Sequence, residues 1–278
     1  MSRTPLSRRL ALGVSAVIAA AALLLTGCAS GSSSDGYVKA GKLTIGTGEP
    51  AYFPYVIDDD PSTGQGFESA VAYAVADKLG FAPEDVEWVR TTFDAAIAPG
   101  AKDFDFNLQQ YSITDERKAN VDFSSPYYSA PQAVITVAGS KAEGVTDIAG
   151  LTDLLVGAAS GTTSFTAIEE QIKPTAGAQA FNSNDDAVLA LTSGQIDALV
   201  VDLPTAFYLT GAELDNGVLI GQLPASSGIS DTWGLVLPKG SKLTAAVTKA
   251  IDELTADGTL AQIASKWLGA DAGAPVLK

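Results

Sequence analysis

The alternation of strand-like and helix-like periodicity along this chain limits its fold more than any other feature. A strand pattern over 42–47 (KLTIGT) leads into a loop rich in proline and aromatic residues. Gly66 and Phe67 then open a helix in which Val71, Val75 and Leu79 recur at helical spacing, and Gly80 stops it. Strand signals at 86–89 and 104–108 bracket a short helix at 93–98, closed by Pro99 and Gly100. This β-α-β-α-β order predicts a parallel sheet with helices on its faces, because parallel neighbours need a crossover between them. A second run of the same kind starts with a strand at 133–138. Its further strands are expected near 155–158, 178–181, 198–201 and 218–221, and its helices near 165–172, 185–192 and 203–210. A strand at 234–237 follows. One helix then carries Leu243, Val247, Ile251 and Leu254 and stops at Gly258, and a shorter one carries Leu260, Ile263 and Trp267. The 278 residues suffice for two lobes, each with its own core.

Composition narrows the chemistry. Hydrophobic residues make up 46%, which places the chain among globular proteins. Histidine is absent, which removes the commonest general base, the usual serine-protease triad and nearly all zinc chemistry. Cys28 is the single cysteine, so no intramolecular disulfide can form. The formal net charge is −15; residues 1–27 hold Arg3, Arg8 and Arg9 and no acid, so without them 14 basic residues face 32 acidic ones, a charge of −18. Such a surface repels nucleic acid and anionic lipid and is compatible with a cationic ligand. No metal and no cofactor is expected.

Residues 1–27 read as a secretory signal: a charged start, then the apolar run 10–25, which is short for a bilayer span. The run ends in Leu25-Thr26-Gly27-Cys28, which resembles the lipobox of bacterial lipoproteins and implies lipid on the Cys28 thiol. A buried free cysteine behind an ordinary signal is the alternative. Residues 28–37 are rich in serine and glycine and form a flexible tether. No later stretch is a membrane-span candidate. Ser7-Arg8-Arg9-Leu10 weakly resembles a twin-arginine signal, so the export route stays open.

Four motifs in order give the chain a family resemblance. Leu43-Thr44-Ile45-Gly46-Thr47 leads to Tyr52-Phe53-Pro54-Tyr55 and Gly66-Phe67-Glu68. Ser112-Ile113-Thr114-Asp115-Glu116-Arg117 continues to Val121-Asp122-Phe123-Ser124-Ser125-Pro126-Tyr127-Tyr128. Gly161-Thr162-Thr163 is third. Gly194-Gln195-Ile196-Asp197-Ala198, Asp202, Trp233-Gly234 and Asp257-Gly258-Thr259 complete the set. From about 42 to 269 the chain resembles the amino-acid-binding proteins of family 3 of the bacterial extracellular solute receptors. The resemblance implies an α/β, two-lobe type II periplasmic-binding-protein fold, each lobe a mostly parallel sheet flanked by helices. Lobe 1 would take 38–127 and 234–278, lobe 2 would take 132–230, and 128–131 with 231–233 would form a two-segment hinge. It also implies a monomeric, non-enzymatic receptor held outside the membrane by lipid. Such a receptor closes on an amino acid and delivers it to the permease and ATPase subunits of an ABC importer.

An amino-acid zwitterion needs a cation for its carboxylate and an anion for its ammonium. Taken alone, Arg117 reads as a surface arginine paired with Asp115 or Asp122; the resemblance implies the carboxylate-binding arginine, whose planar fork can make two parallel bonds. Asp202 follows an apolar strand and precedes Leu203-Pro204, so it can cap a helix; the resemblance implies that it binds the ammonium. Thr162 and Thr163 sit at a helix start, where capping and anion binding are both open, and Ser112 reads as a turn serine or a ligand contact. Tyr52 and Phe93 match positions where the family encloses the ligand side chain with aromatic rings; both could equally be core residues. Glu49 is either a solvated loop acid or, by resemblance, an acid that favours a cationic or amide ligand tail. Gln109 and Gln110 stand where small residues are usual, so Gln110 could narrow the pocket or add hydrogen bonds. Two rival functions remain: an enzyme on the same fold, dehydratase-like, with Glu49 or Asp202 as acid or base, and a ligand sensor without transport.

Overall fold

The structure is a computed structural model and describes residues 36–225, 232–269 and 274–278. The signal segment 1–27, Cys28, the tether up to residue 35 and hinge residue 231 lie outside the described residues. The chain first forms β1 (Leu43–Gly48), α1 (Phe67–Lys78), β2 (Val86–Thr91), α2 (Phe93–Ile97), β3 (Phe106–Asn107), α3 (Asp115–Asn120) and β4 (Val121–Ser129). It then builds a second layer from β5 (Gln132–Val137), β6 (Val156–Ala159), α4 (Thr163–Ala167), β7 (Gln179–Phe181), α5 (Asn184–Thr192), β8 (Ala198–Asp202), α6 (Leu203–Tyr208) and β9 (Gly217–Gln222). It returns as β10 (Thr232–Pro238), α7 (Thr244–Ala256) and α8 (Thr259–Trp267).

Two five-stranded sheets result, ordered β2-β1-β3-β10-β4 and β7-β6-β8-β5-β9. In the first, β10 runs antiparallel to β3 and β4, and in the second β5 runs antiparallel to β8 and β9. The other pairs are parallel, so each sheet has one reversed strand. The reversal follows from connectivity. β5 and β10 are the strands through which the chain enters a lobe from the other lobe, so they start where their neighbours end. The carboxyl ends of the remaining strands therefore face the gap between lobes, the usual place for a ligand in open α/β sheets. Ser129, the last residue of β4, pairs with Thr232, the first of β10, so the two crossing segments leave the first sheet side by side.

Both sheets are covered on both faces. In β8, Ala198 and Val200 join one apolar cluster while Leu199 and Val201 join another, the period-two alternation of a strand buried on each side. In the first lobe α7 buries Val247, Ala250, Ile251 and Leu254 in a cluster with α1 and the aromatic residues Phe67, Phe106 and Trp233. Each large aliphatic side chain so buried contributes roughly 1.5–3 kcal/mol.

Three features depart from the sequence expectation. β4 has no clean alternation, because Ser124, Ser125 and Pro126 interrupt it; the edge position tolerates the proline, and Ser124 Oγ accepts the Leu235 N–H at 3.0 Å in place of a ladder partner. The helices expected at 165–172 and 203–210 begin as α4 and α6, but each ends in a wider π turn, Ile168–Ile172 and Leu209–Glu213. The expected first-lobe span 234–278 needs correction at its end. Residues 274–278 lie on the second lobe: Gln222 N–H donates to Pro275 O at 2.8 Å, Leu277 N–H donates to Gln222 O at 2.9 Å, and the Leu277 side chain is buried in the second lobe's core. Two apolar residues, Val276 and Leu277, are too few to carry a periodicity that sequence reading could assign.

Candidate functional site

Between the lobes lies a cavity of about 290 Å³, at the small end of the range for small-molecule sites. Its lining comes from the loops after β1, β2 and β3 on one side and after β6, β7 and β8 on the other. Of the candidate site residues, Glu49, Tyr52, Phe93, Gln110, Thr162, Thr163 and Asp202 line it. Arg117 and Ser112 do not line it; they lie behind Thr163 and Phe93.

Arg117 is placed by α3. Thr114 caps that helix by accepting the Arg117 N–H at 3.2 Å, and the side chain folds inward until the residue is only 7% exposed. Its guanidinium donates to Ser112 O at 2.9 Å and to Gly161 O of the second lobe at 2.8 Å, and lies 5.3 Å from the centre of the Phe93 ring. Asp115 pairs with Lys118 and Asp122 with Lys239, and among the described residues no carboxylate lies within ion-pair distance of Arg117. Burial lowers the pKa of the guanidinium, partly offset by Tyr111 and Asp202, but arginine stays charged. A buried cation whose hydrogen-bond acceptors among the described residues are main-chain carbonyls is costly, and an anion would relieve that cost.

The opposite wall holds the acid. Asp202 ends β8, and its side chain makes no capping bond to α6, so its helix-capping alternative is not realised. Asp202 Oδ1 accepts from Gln132 Nε2 at 2.8 Å, and Gln132 Oε1 accepts from Ser164 Oγ at 2.5 Å. This buried chain fixes the Gln132 amide and steadies the carboxylate at the cavity edge. Thr162 does cap α4, accepting the Phe165 N–H at 3.2 Å, whereas the Thr163 hydroxyl reaches across to Ser112 Oγ at 3.0 Å. Gly161 sits at φ 72°, and a Cβ there would lie 2.8 Å from Asp94 Oδ1 of the first lobe. Glycine thus permits the close approach of the lobes at this point.

The aromatic residues are engaged more widely than a simple sandwich. The Phe93 ring packs at 4.5 Å on Tyr111, which is fully buried, as well as beneath Arg117. Tyr52 donates its hydroxyl to Asp185 Oδ2 at 3.0 Å, and burial together with Asp185 raises its pKa. Tyr55 forms a second bridge between lobes, 2.8 Å to Thr205 Oγ1. Phe53 meets Tyr208 at 4.9 Å between ring centres. Glu49 is exposed at the rim.

Sequence reasoning missed Glu68 as a site residue, although it stands in the quoted Gly66-Phe67-Glu68 motif. Gly66, at φ 103°, lets the start of α1 press on the 52–55 loop; a Cβ would lie 2.4 Å from Tyr55 O. That contact brings Glu68 to the cavity floor, 2% exposed. Burial raises its pKa to about 7 against bonds from Tyr127 and Gln110 that lower it. The signal was there to read: an acid in the first turn of a helix, between Phe67 and the apolar run Ala70-Val71-Ala72. Gln109 lines the cavity too, but its amide nitrogen donates to Thr91 Oγ1 at 2.7 Å and Asn107 Oδ1 at 2.9 Å and holds the strand ends.

Two α/β lobes with a small polar cleft at their strand ends define a clamp for a single small solute. The profile of the bacterial extracellular solute-binding proteins, family 3, matches residues 43–270, and the chain belongs to that family. It is 30% identical over 276 residues to the L-cystine-binding protein TcyJ of Escherichia coli K12, covering 98% of this chain and 99% of that one. It is 29% identical over 230 residues to the L-arginine-binding protein of Pseudomonas aeruginosa, 80% of this chain and 86% of that one. Among solved structures, an ancestral amino-acid-binding protein described as a precursor of cyclohexadienyl dehydratase superimposes with TM-score 0.66 at 31% identity, over 82% of this chain and 95% of that one.

Proposed function

We propose that this protein captures one free amino acid between its lobes and hands it to an ABC importer. The observation that carries the reading is the buried Arg117, with no carboxylate partner among the described residues, set behind a cleft whose far wall presents Asp202. Two of the five guanidinium N–H groups serve main-chain carbonyls. From behind the cavity wall the others favour an α-carboxylate bound on the Thr163 side of the cleft. Asp202 takes the ammonium. Glu49 and Asp94 are acidic and line the cleft, and among the described residues no lysine or arginine does, which favours a tail that is cationic or an amide. Closure gains its free energy from ligand bonds to both lobes, so ligand shifts the population to the closed form. A micromolar affinity corresponds to about −8 kcal/mol, within reach of two charged anchors and a buried tail.

The names of the relatives support binding over catalysis. The protein is proposed to act as a monomer outside the membrane, anchored by lipid on Cys28. A thermal-shift screen of the twenty common amino acids tests the reading. A rise in melting temperature with one or a few of them is expected. No shift with any of them rejects it, and recovery of a chemically altered ligand replaces the receptor by an enzyme.

A further inference from the structure

Gln110 has a left-handed backbone, φ 53°, a conformation that a long side chain rarely adopts. It is held there by Glu68. The Glu68 carboxylate accepts the Gln110 backbone N–H at 2.8 Å, and it also accepts the Gln110 side-chain Nε2 and the Tyr127 hydroxyl. Three donors converge on a group that, when ionised, can only accept. That arrangement decides which way the Gln110 amide points, a choice that is ambiguous for most glutamines. The nitrogen must face Glu68, so the oxygen is the end left for the cavity that Gln110 lines. Among the described residues Gln110 Oε1 has no hydrogen-bond partner, and it is not a buried unsatisfied atom.

We propose that Glu68 is a specificity-determining positioning residue: by gripping both amide groups of Gln110 it turns the Gln110 oxygen into the cleft, so that the floor accepts a hydrogen bond and selects ligands that offer it a donor. The donor is an ammonium, guanidinium or primary amide group. This inference rests on the amino-acid reading above for its ligand, but not for the orientation of Gln110. Glu68→Gln keeps the shape and can still accept from Tyr127 and the Gln110 backbone. Its own amide nitrogen, however, would then meet the Gln110 side chain and force the Gln110 oxygen round to it. The cleft would be left with a donor where it had an acceptor.

The test has two arms at pH 8. In 15N-labelled protein without ligand, one Gln110 side-chain amide proton should be shifted downfield and exchange slowly, and Glu68→Gln should abolish that signature. An ordinary exposed-glutamine resonance in the wild type overturns the proposal whether or not any amino acid binds. In the second arm, L-arginine is titrated calorimetrically into wild type, Glu68→Gln, Gln110→Ala and the double variant, with melting curves to verify folding. Glu68→Gln should weaken binding roughly 10- to 100-fold, as expected for an acceptor to a charged donor turned into a donor. In the Gln110→Ala background the same change should cost less than about threefold. An undiminished loss there would mean that Glu68 acts through its own charge, and the proposal falls. If wild type binds none of the twenty amino acids, the receptor reading fails, while the resonance arm still decides the orientation of Gln110.

Discussion

The two lobes share a strand order and differ in what fills them. The first has a core rich in buried aromatics, among them Trp233, Tyr111, Phe67 and Phe106, and it buries charged or amide groups beside the cleft: Arg117, Glu68 and Gln109. The second has a core of valine, leucine, isoleucine and alanine, and its aromatics Phe165, Phe181, Phe207 and Tyr208 are only partly buried. Its site residues sit at strand and helix ends rather than inside the core. The first lobe gathers Arg117, Glu68 and Gln110 largely by bonds of its own, with Gly161 O of the second lobe as the other acceptor for Arg117. The second lobe completes the site by touching it through Gly161, Thr163, Asp185 and Thr205. Ligand should therefore dock on the first lobe and recruit the second.

The sharpest way to break that comparison is to remove the preformed cation. Arg117→Ala should cost about 4 kcal/mol of amino-acid binding, near a thousandfold by calorimetry, while the protein still melts cooperatively. Binding within threefold of wild type would show that the first lobe does not supply the anchor. Next is the buried acid. Glu68 rises from 4.5 to about 7 on folding, chiefly by burial, so the native state holds the proton more tightly. Its contribution to stability is complete below pH 4.5 and is lost as the pH climbs through about 7. Tyr127, Tyr55 and Tyr111 face it, and burial pushes all three up, out of that window. Denaturant melts of wild type against Glu68→Gln should differ in pH slope by a total of roughly 3 kcal/mol, at ~1.4 kcal/mol per unit. Parallel slopes would remove the buried-acid argument.

The second lobe is tested by its tail. Leu277→Ala should destabilise the protein by about 2.5 kcal/mol, because it empties a site in the second lobe's core, with ligand affinity per folded molecule unchanged. A loss of affinity without a loss of stability would tie the tail to closure instead. The smallest effect belongs to the contact between lobes. Tyr52→Phe deletes the bond to Asp185 and should weaken binding by about 1 kcal/mol, appearing mainly in the dissociation rate. An unchanged rate would mean that this bridge does not hold the lobes together.

How much of this was legible depended on the range of the interaction. The strand–helix alternation, the glycine stops and the apolar stripe of α7 are local, so periodicity showed them. β4 was hidden because its pairing is rescued by the distant Leu235 N–H donating to its Ser124 hydroxyl, and the tail because Gln222, the bridge partner of Val276, lies far back along the chain. In the site, the polar types and their order were readable, and so was the oddity of Gln110. Its reason was not, since Glu68 lies 42 positions earlier.

By itself the sequence determined two α/β layers, a histidine-free and strongly acidic chain, and the polar residue types of the candidate site. Tertiary structure alone decided that Arg117 is buried with no acid at ion-pair distance among the described residues, that Asp202 does not cap its helix and that the last five residues belong to the second lobe. The physical reason is that periodicity and local caps are set by neighbours a few residues apart. Burial, charge pairing and the direction of an amide are set by atoms that only folding brings together.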